Sequence, residues 1–305
     1  PWSTASSGSG GLSLSSQPGS RKSTAQRRML YHSVRRNYPE GLYREMAGAE
    51  LKALLTLILC SLLHSPAWAI TLCVEEADYL PYISGIGELK GRGMVPDMIR
   101  AAAQNNQQTL DVITYPWKRC IDMLSKGQVD ALAASIWLPE REAWGAYPKL
   151  PGQPQGMPDR SKRLWTAEYP VFVAQQSSLR YDGTQFSGVK TGLSAPSGYV
   201  AWQRLKDAGV LNPAVLPPKS GLKLVALNRL DGYVVERNIG QHLLHKMGLT
   251  AEVTTLPTPF IKDDWHLVFS HQFQAANPAL TQRIWTSLAK IREEQGAELL
   301  RNYQK

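Results

Sequence analysis

Arg141 has a side chain and a position that suit the binding of an anion. It comes just after a predicted strand and the loop that follows it. The carboxyl ends of parallel strands are where open α/β sheets bind ligands, and a planar guanidinium can hold a carboxylate with two hydrogen bonds. The alternative is a surface arginine that pairs with Glu140 or Glu142.

Further candidates lie at the ends of other predicted elements. Glu236 ends a predicted strand in the second half of the chain, although it can also be a solvated charge beside Arg237. Ser197 and Gly198 open a predicted helix, whose free backbone N–H groups can receive a carboxylate. Four aromatic residues follow predicted strands and can form the apolar walls of a site, or equally part of the core: Tyr79, Tyr82, Trp117 and Trp137.

Motifs of several common enzyme classes are missing from the sequence. It contains no Gly-x-Ser-x-Gly elbow, no His-Glu-x-x-His and no phosphate-binding loop. Neither Cys73 nor Cys120 has a histidine or a second cysteine at metal-ligand spacing. We therefore predict no catalytic residue, no metal and no cofactor.

The net charge of +9 is spread unevenly along the 305 residues. Residues 1–69 carry 8 Lys/Arg against 3 Asp/Glu, and residues 70–305 carry 26 against 22. A nucleic-acid-binding domain would concentrate positive charge on its folded part. The sequence therefore indicates no nucleic-acid partner.

The segment 51–63 (LKALLTLILCSLL) predicts a cleaved signal peptide. It has about 13 residues, whereas a bilayer span needs roughly 20, and Ala67 and Ala69 form an Ala-x-Ala-like cleavage site behind it. The alternative is a buried core helix. We interpret Met46 as the start, 46–69 as the signal peptide and 1–45 as a disordered or non-native leader, so the predicted location is the periplasm.

Export bears on the two cysteines that remain after cleavage. Cys73 lies in the first predicted strand, and Cys120 lies near the start of a helix in the same half of the chain. Thiols often pair in an oxidising compartment, which favours a disulfide between them. Two small buried side chains are the alternative.

From residue 70 the chain alternates strand-like and helix-like segments. Predicted strands at 70–75, 110–115 and 129–135 alternate with helices at 95–104 and 117–126. This order predicts a parallel sheet with helices on its faces. After a Pro/Gly-rich loop near 149–162 the pattern starts afresh, which indicates a second lobe. Its predicted elements include a strand at 189–193, a helix at 222–230 and a final helix with Asn277 as its cap.

Six segments, in this order, resemble the polar amino-acid-binding family of periplasmic solute-binding proteins: 79–82 (YLPY), 93–98 (GMVPDM), 127–130 (GQVD), 138–141 (LPER), 189–192 (VKTG) and 228–236 (NRLDGYVVE). The resemblance covers nearly all of residues 70–305. It implies a type II periplasmic-binding-protein-like α/β fold, with two lobes that are mostly parallel sheets flanked by helices. Two crossing strands, near Phe172 and Phe260, would join lobe 1 (70–172 plus 262–305) to lobe 2 (173–261).

The same resemblance implies roles for the candidate residues. Arg141 matches the arginine that holds the ligand's α-carboxylate, and Glu236 matches the acidic residue that takes its ammonium. Tyr79 matches an aromatic residue that flanks the ligand. Members of this family are usually monomers.

The sequence departs from the family pattern, and the run 116–120 (PWKRC) with the long loop after Tyr147 indicates a divergent branch. Leu138 stands where the family usually has threonine, and Val95 lies where an acidic residue is common. The spacing from strand to arginine is one residue short, so the sequence leaves open whether Ser135 replaces a ligand hydroxyl. The ligand of such a branch need not be an ordinary amino acid.

Two functions follow from the resemblance. The first is the binding of a small polar, carboxylate-bearing solute, for delivery to an ABC permease or for reporting to a membrane sensor. The second is a periplasmic enzyme of the dehydratase or lyase type on the same fold. In that enzyme Arg141 would anchor the substrate and Glu236 would act as general acid or base. The missing enzyme motifs favour the binding protein.

Overall fold

The strands of the protein form two main sheets and two small hairpins. The computed structural model describes residues 69–304. In chain order the strands are β1 (Ala69–Glu75), β2 (Asp78–Tyr79), β3 (Ile83–Ser84), β4 (Thr109–Tyr115), β5 (Ala131–Ile136), β6 (Trp165–Tyr169), β7 (Val171–Ala174), β8 (Arg180–Tyr181), β9 (Phe186–Ser187), β10 (Leu193–Ser194), β11 (Gly232–Val234), β12 (Val253–Thr255) and β13 (Ile261–Phe269). The hairpins pair β2 with β3 and β8 with β9.

The first sheet has the strand order β4-β1-β5-β13-β6. β1 is parallel to β4 and β5, and β13 is antiparallel to both β5 and β6. Four of the five strands therefore share one direction. The carboxyl ends of β1 and β5 lie at the same edge of the sheet, which brings Glu75 and Ile136 to one side of the molecule.

The second sheet has the strand order β10-β11-β7-β12. β10 and β11 are parallel, and β7 is antiparallel to β11 and β12. The chain leaves the first sheet at Tyr169 and enters the second at Val171, with Pro170 between them. It returns between Thr255 and Ile261.

Helices cover these sheets and pack against them. They are α1 (Met94–Gln104), α2 (Trp117–Ser125), α3 (Val200–Asp207), α4 (Pro218–Ala226), α5 (Arg237–Met247), α6 (His271–Ala276) and α7 (Pro278–Tyr303). The apolar side of α1 is buried, and α1 packs against the long final helix α7. Ile284, Leu288 and Ile291 lie on one side of that final helix and are buried, as their helical spacing requires.

Helix α5 lies very close to β7. A Cβ atom on Gly240 would come within 2.1 Å of the ring of Phe172. Only glycine allows such an approach without repacking, because it has no Cβ. This contact fixes α5 on the second sheet and, with it, the position of Glu236 at the start of the helix.

The predicted disulfide is confirmed. Cys73 in β1 is bonded to Cys120 in α2, and their Cα atoms are 5.6 Å apart. Both residues are fully buried. The bond therefore joins the strand that ends at Glu75 to the helix that begins at Trp117.

Several local predictions are wrong. The strand predicted at 189–193 is reduced to Leu193–Ser194, because Gly188 and Gly192 have positive φ angles of 77° and 88°. The helix predicted at 222–230 is α4, which begins four residues earlier and ends at Ala226. Asn277 stands at the start of α7, but its side chain accepts no bond there; its Nδ2 donates to the Phe273 carbonyl.

The predicted leader and signal peptide, residues 1–69, lie outside the described residues except for Ala69. Between Ala69 and Gln304, no helix is both long and apolar enough to cross a membrane.

Candidate ligand-binding site

A cavity lies between the two sheets, and residues from both form its walls. The space open to the centres of water-sized molecules is about 50 Å³. The lining side chains with aromatic or ionisable groups are Glu75, Tyr79, Tyr82, Trp117, Arg141, Tyr169, Tyr199, Glu236 and Trp265. Five of the nine predicted ligand-binding residues are among them: Arg141, Glu236, Tyr79, Tyr82 and Trp117.

Arg141 lies in a short 3₁₀ turn after β5 and is 9% exposed. Its Nη1 donates to the Ile136 carbonyl at 3.1 Å and to Ser135 Oγ at 3.3 Å. Its Nη2 reaches the Gly198 carbonyl only at 3.5 Å. Among residues 69–304 no carboxylate lies within ion-pairing distance of the guanidinium. The alternative of a surface arginine paired with Glu140 or Glu142 therefore does not describe this residue.

Ser135 accepts a hydrogen bond from Arg141. It is fully buried, and its Oγ lies 2.8 Å from the hydroxyl of Tyr147. The serine is not part of the cavity lining. Its contact with Nη1 helps to orient the guanidinium, so Ser135 positions Arg141 from outside the cavity lining, and its direct role towards a ligand stays a prediction.

Glu236 occupies the N-cap position of α5 and is 2% exposed. Its Oε2 accepts from the backbone N–H groups of Asn238 and Ile239 at 2.7 and 3.1 Å. Its Oε1 accepts from the hydroxyl of Tyr82 at 3.0 Å. Arg237, the suspected partner, pairs with Glu168 instead. The alternative of a solvated charge is therefore not what the structure shows.

Burial also changes the acidity of Glu236. Removal from water disfavours the charged form and raises the pKa of this carboxyl to about 7, although the hydrogen bonds from Ile239, Tyr82 and Asn238 act in the opposite direction. An ionised Glu236 would be stabilised further by a cation in the cavity.

Trp137 does not reach the cavity. Its indole Nε1 donates to Glu142 at 2.6 Å, and the ammonium of Lys149 lies 5.4 Å from the centre of its ring. The residue follows the end of β5, as predicted, but these two contacts hold the ring away from the cavity lining.

Ser197 and Gly198 also fall outside the lining, because α3 begins later than predicted. Its N-cap is Tyr199 and its first residue is Val200. Gly198 has a φ of +85° and presents its carbonyl oxygen, an acceptor, towards Arg141. Neither Ser197 nor Gly198 belongs to the cavity lining, so their predicted role in binding a carboxylate stays a prediction.

Solved structures of known proteins share this arrangement of two sheets around a cleft. A histidine kinase sensor domain with similarity to periplasmic binding proteins matches at 17% identity with a TM-score of 0.61, over 77% of this chain and 95% of that chain. The substrate binding protein of an amino acid ABC transporter matches at 14% identity and a TM-score of 0.59, over 77% and 98%. The chain has the type II periplasmic-binding-protein fold.

Other comparisons add little beyond the fold. The ancestral amino acid-binding protein AncCDT-1, a precursor of cyclohexadienyl dehydratase, matches at 14% identity and a TM-score of 0.59, over 78% of this chain and 96% of that chain. A curated protein, the modulator protein MzrA of Pectobacterium carotovorum subsp. carotovorum (strain PC1), is 28% identical over 93 residues, which are 30% of this chain and 70% of that protein. No family model matches the chain.

Four of the aromatic or ionisable lining residues were not predicted from the sequence: Glu75, Tyr169, Tyr199 and Trp265. Glu75 ends β1, so the rule that selected Arg141 and Glu236 also applies to it. Tyr199 is the N-cap of α3. Tyr169 and Trp265 lie in β6 and β13, where Trp265 Nε1 donates to the Tyr169 hydroxyl at 2.8 Å. No motif or spacing marked these last two, because the pairing of their strands decides which side chains face the cleft.

Proposed function

We propose that this protein binds a small polar, carboxylate-bearing solute in the cleft between its lobes. The observation that carries this proposal is Arg141, a buried guanidinium in the cavity wall with no carboxylate partner among the described residues. A buried charge without a partner costs on the order of several kcal/mol. A bound carboxylate would reduce this cost and would satisfy Nη2, whose hydrogen bond to the Gly198 carbonyl is long.

The second pole of the site is Glu236. Its carboxylate lines the same cavity as Arg141 and has no cation partner among residues 69–304. An ammonium group would share Oε1 with the Tyr82 hydroxyl, which also lines the cavity. A ligand with both a carboxylate and an ammonium, as in an amino acid, matches these two poles.

The proposal extends to the whole molecule as follows. Lobe 1 comprises about residues 70–170 and 261–305, and lobe 2 about residues 171–260, because β7 enters the second sheet at Val171 and β13 enters the first at Ile261. The protein is exported after cleavage of residues 46–69, acts in the periplasm as a monomer, and passes its solute to an ABC permease or reports it to a membrane sensor. The fold shared with a transporter's binding protein and with a kinase sensor domain supports both routes.

A thermal-shift screen tests the proposed function. The protein is melted with amino acids, small carboxylates and amines, each in large excess. A ligand at about 100 times its dissociation constant adds roughly 2.7 kcal/mol of stability, which raises the melting temperature by about 5–10 °C for a protein of this size. We expect a shift of this size with compounds that carry a carboxylate. The absence of any shift with this class would contradict the proposal.

An enzyme is the second candidate, favoured by one observation. The buried Glu236, with a pKa of about 7, has the acidity of a general acid or base at neutral pH. Each ligand from the screen is therefore incubated with the wild type and with Glu236→Gln, and the mixture is followed by NMR. A binding protein returns the ligand unchanged in both samples. Product in the wild-type sample alone would establish the enzyme.

A further inference from the structure

Glu75 is a second carboxylate in the cavity, and no function described above uses it. It ends β1, is partly buried and belongs to the lining. Its Oε2 accepts from the backbone N–H of Trp117 at 3.1 Å and from the hydroxyl of Tyr199 at 3.4 Å. Its Oε1 accepts from the N–H of Glu76 at 3.2 Å. The donors of all three bonds are neutral, and only the bond from Tyr199 is long.

A zwitterion with one carboxylate and one ammonium would leave one charged group of the cavity without a partner. The lining contains two carboxylates, Glu75 and Glu236, and one guanidinium, Arg141. The carboxylate of an amino acid would pair with Arg141, and its ammonium with Glu236. Glu75 would then be enclosed without a cation, which is unfavourable for an ionised group in a closed site.

The protein itself compensates Glu75 only in part. The N–H of Trp117 lies at the positive end of α2, which favours a nearby anion. No Lys or Arg among residues 69–304 lies within 4 Å of Glu75, and Lys118 is exposed and outside the lining. Burial still raises the pKa of Glu75 despite the backbone bonds from Trp117, Ala77 and Glu76.

The aromatic rings beside Glu75 also suit a cation. Tyr199 contacts the carboxylate and packs edge-on against Tyr79, with ring centroids 6.3 Å apart. The ring centroids of Trp117 and Tyr199 are 5.8 Å apart. Aromatic faces attract ammonium and guanidinium groups in addition to what a carboxylate contributes.

Trp117 provides an independent sign that the cavity holds an occupant here. It is 9% exposed, it lines the cavity, and its indole Nε1 is buried with no hydrogen-bond partner in the described part of the protein. A buried indole N–H usually finds an acceptor. An acceptor oxygen of the ligand near this wall could supply one, whereas an ammonium or guanidinium group has no acceptor atom.

We propose that Glu75, with the rings of Tyr79, Trp117 and Tyr199, forms a subsite for a second cationic group of the ligand. The ligand class is then an amino acid or related carboxylic acid with a side-chain amine or guanidine, which carries a net positive charge. This inference rests on the proposed function, since it assumes that Arg141 and Glu236 hold the other two poles.

A matched pair of ligands tests the inference. Isothermal titration compares L-lysine with L-norleucine, which has the same carbon chain but no side-chain ammonium. We expect the wild type to bind lysine at least about tenfold more tightly than norleucine, because only lysine can make a charge-assisted hydrogen bond to Glu75. Glu75→Gln should lose this preference and should keep the affinity for norleucine within about threefold. Glu76→Gln, which changes an exposed neighbour, is the matched control and should bind as the wild type does.

The outcomes separate this inference from the proposed function. If the wild type binds norleucine as tightly as lysine, or if Glu75→Gln keeps the preference, the subsite is wrong although the solute-binding function stands. If neither amino acid binds and no carboxylate shifts the melting temperature, both fail. The wild-type comparison decides the matter even if Glu75→Gln does not fold.

Discussion

Two features of Glu236 have opposite effects on the ionisation of its carboxyl group. As the N-cap of α5 it accepts backbone N–H bonds that favour its ionised form. Its burial favours the neutral form more strongly, and the net result is a raised pKa of about 7. The proposed ligand ammonium would reverse this balance, because it pairs only with the ionised carboxylate.

The affinity for an ammonium-bearing ligand should therefore depend on pH. The pKa of Glu236 in the free protein is raised, so the carboxylate is ionised above about pH 7 and neutral below it. We expect the affinity to be full near pH 8 and to fall roughly tenfold for each pH unit below 7. The measurement is isothermal titration from pH 5 to pH 8.

Glu236→Gln isolates this effect from the other titrating groups. The raised pKa of Glu75 adds to the slope in both proteins, so the difference between them belongs to Glu236. The variant should bind more weakly at pH 8 and should lose part of the pH dependence. An affinity of the wild type that does not change between pH 5 and pH 8 would show that no ammonium pairs with either carboxylate.

The sequence identified single residues better than it identified a complete site. Arg141, Glu236 and Trp117 follow strands or begin helices, so the topology alone places them near the cleft. Trp137 satisfies the same rule but is held elsewhere by Glu142 and Lys149, two contacts that no spacing predicts. Glu75 could have been found by the rule and was not.

The ends of strands and helices carry the residues that line the cavity. These ends were also the part of the fold that the sequence predicted least well. β10 is short because Asp231 Oδ2 accepts from three successive backbone N–H groups, those of residues 190–192. This side-chain contact holds the segment out of the sheet. The periodicity of the sequence predicts the order and type of the elements. It does not predict contacts between distant residues such as this one.

The disulfide couples two elements of the site. It joins β1, which ends at Glu75, to α2, which begins at Trp117, and it closes a loop of 47 residues in sequence separation. The chain-entropy model gives about 4 kcal/mol for such a loop, and disulfides typically contribute about 2–4 kcal/mol. Reduction should therefore lower both the stability and the affinity for ligand.

We expect dithiothreitol to lower the melting temperature by roughly 5–15 °C. The variant Cys73→Ala/Cys120→Ala should melt near the reduced wild type and should not respond to the reductant. A wild-type melting temperature that the reductant leaves unchanged, with both thiols shown to be alkylated, would contradict a stabilising role for the bond.

At the scale of the whole molecule, the two sheets are held together across the cleft. Tyr82 donates to Glu236, Lys246 pairs with Asp78 at 3.2 Å, and Arg141 meets the carbonyl of Gly198. These contacts would have to open for a solute to enter the cavity between the sheets. Hinge motion of this type is common in the periplasmic-binding-protein fold.

The central claim is that Arg141 holds the carboxylate of the solute. Isothermal titration of the wild type, Arg141→Ala and the exposed control Arg229→Ala, with the tightest carboxylate from the screen, tests it most directly. We predict that Arg141→Ala weakens binding at least about thirtyfold, which corresponds to roughly 2 kcal/mol, while Arg229→Ala binds as the wild type does. Equal affinity in all three proteins would show that Arg141 does not hold the carboxylate of the solute.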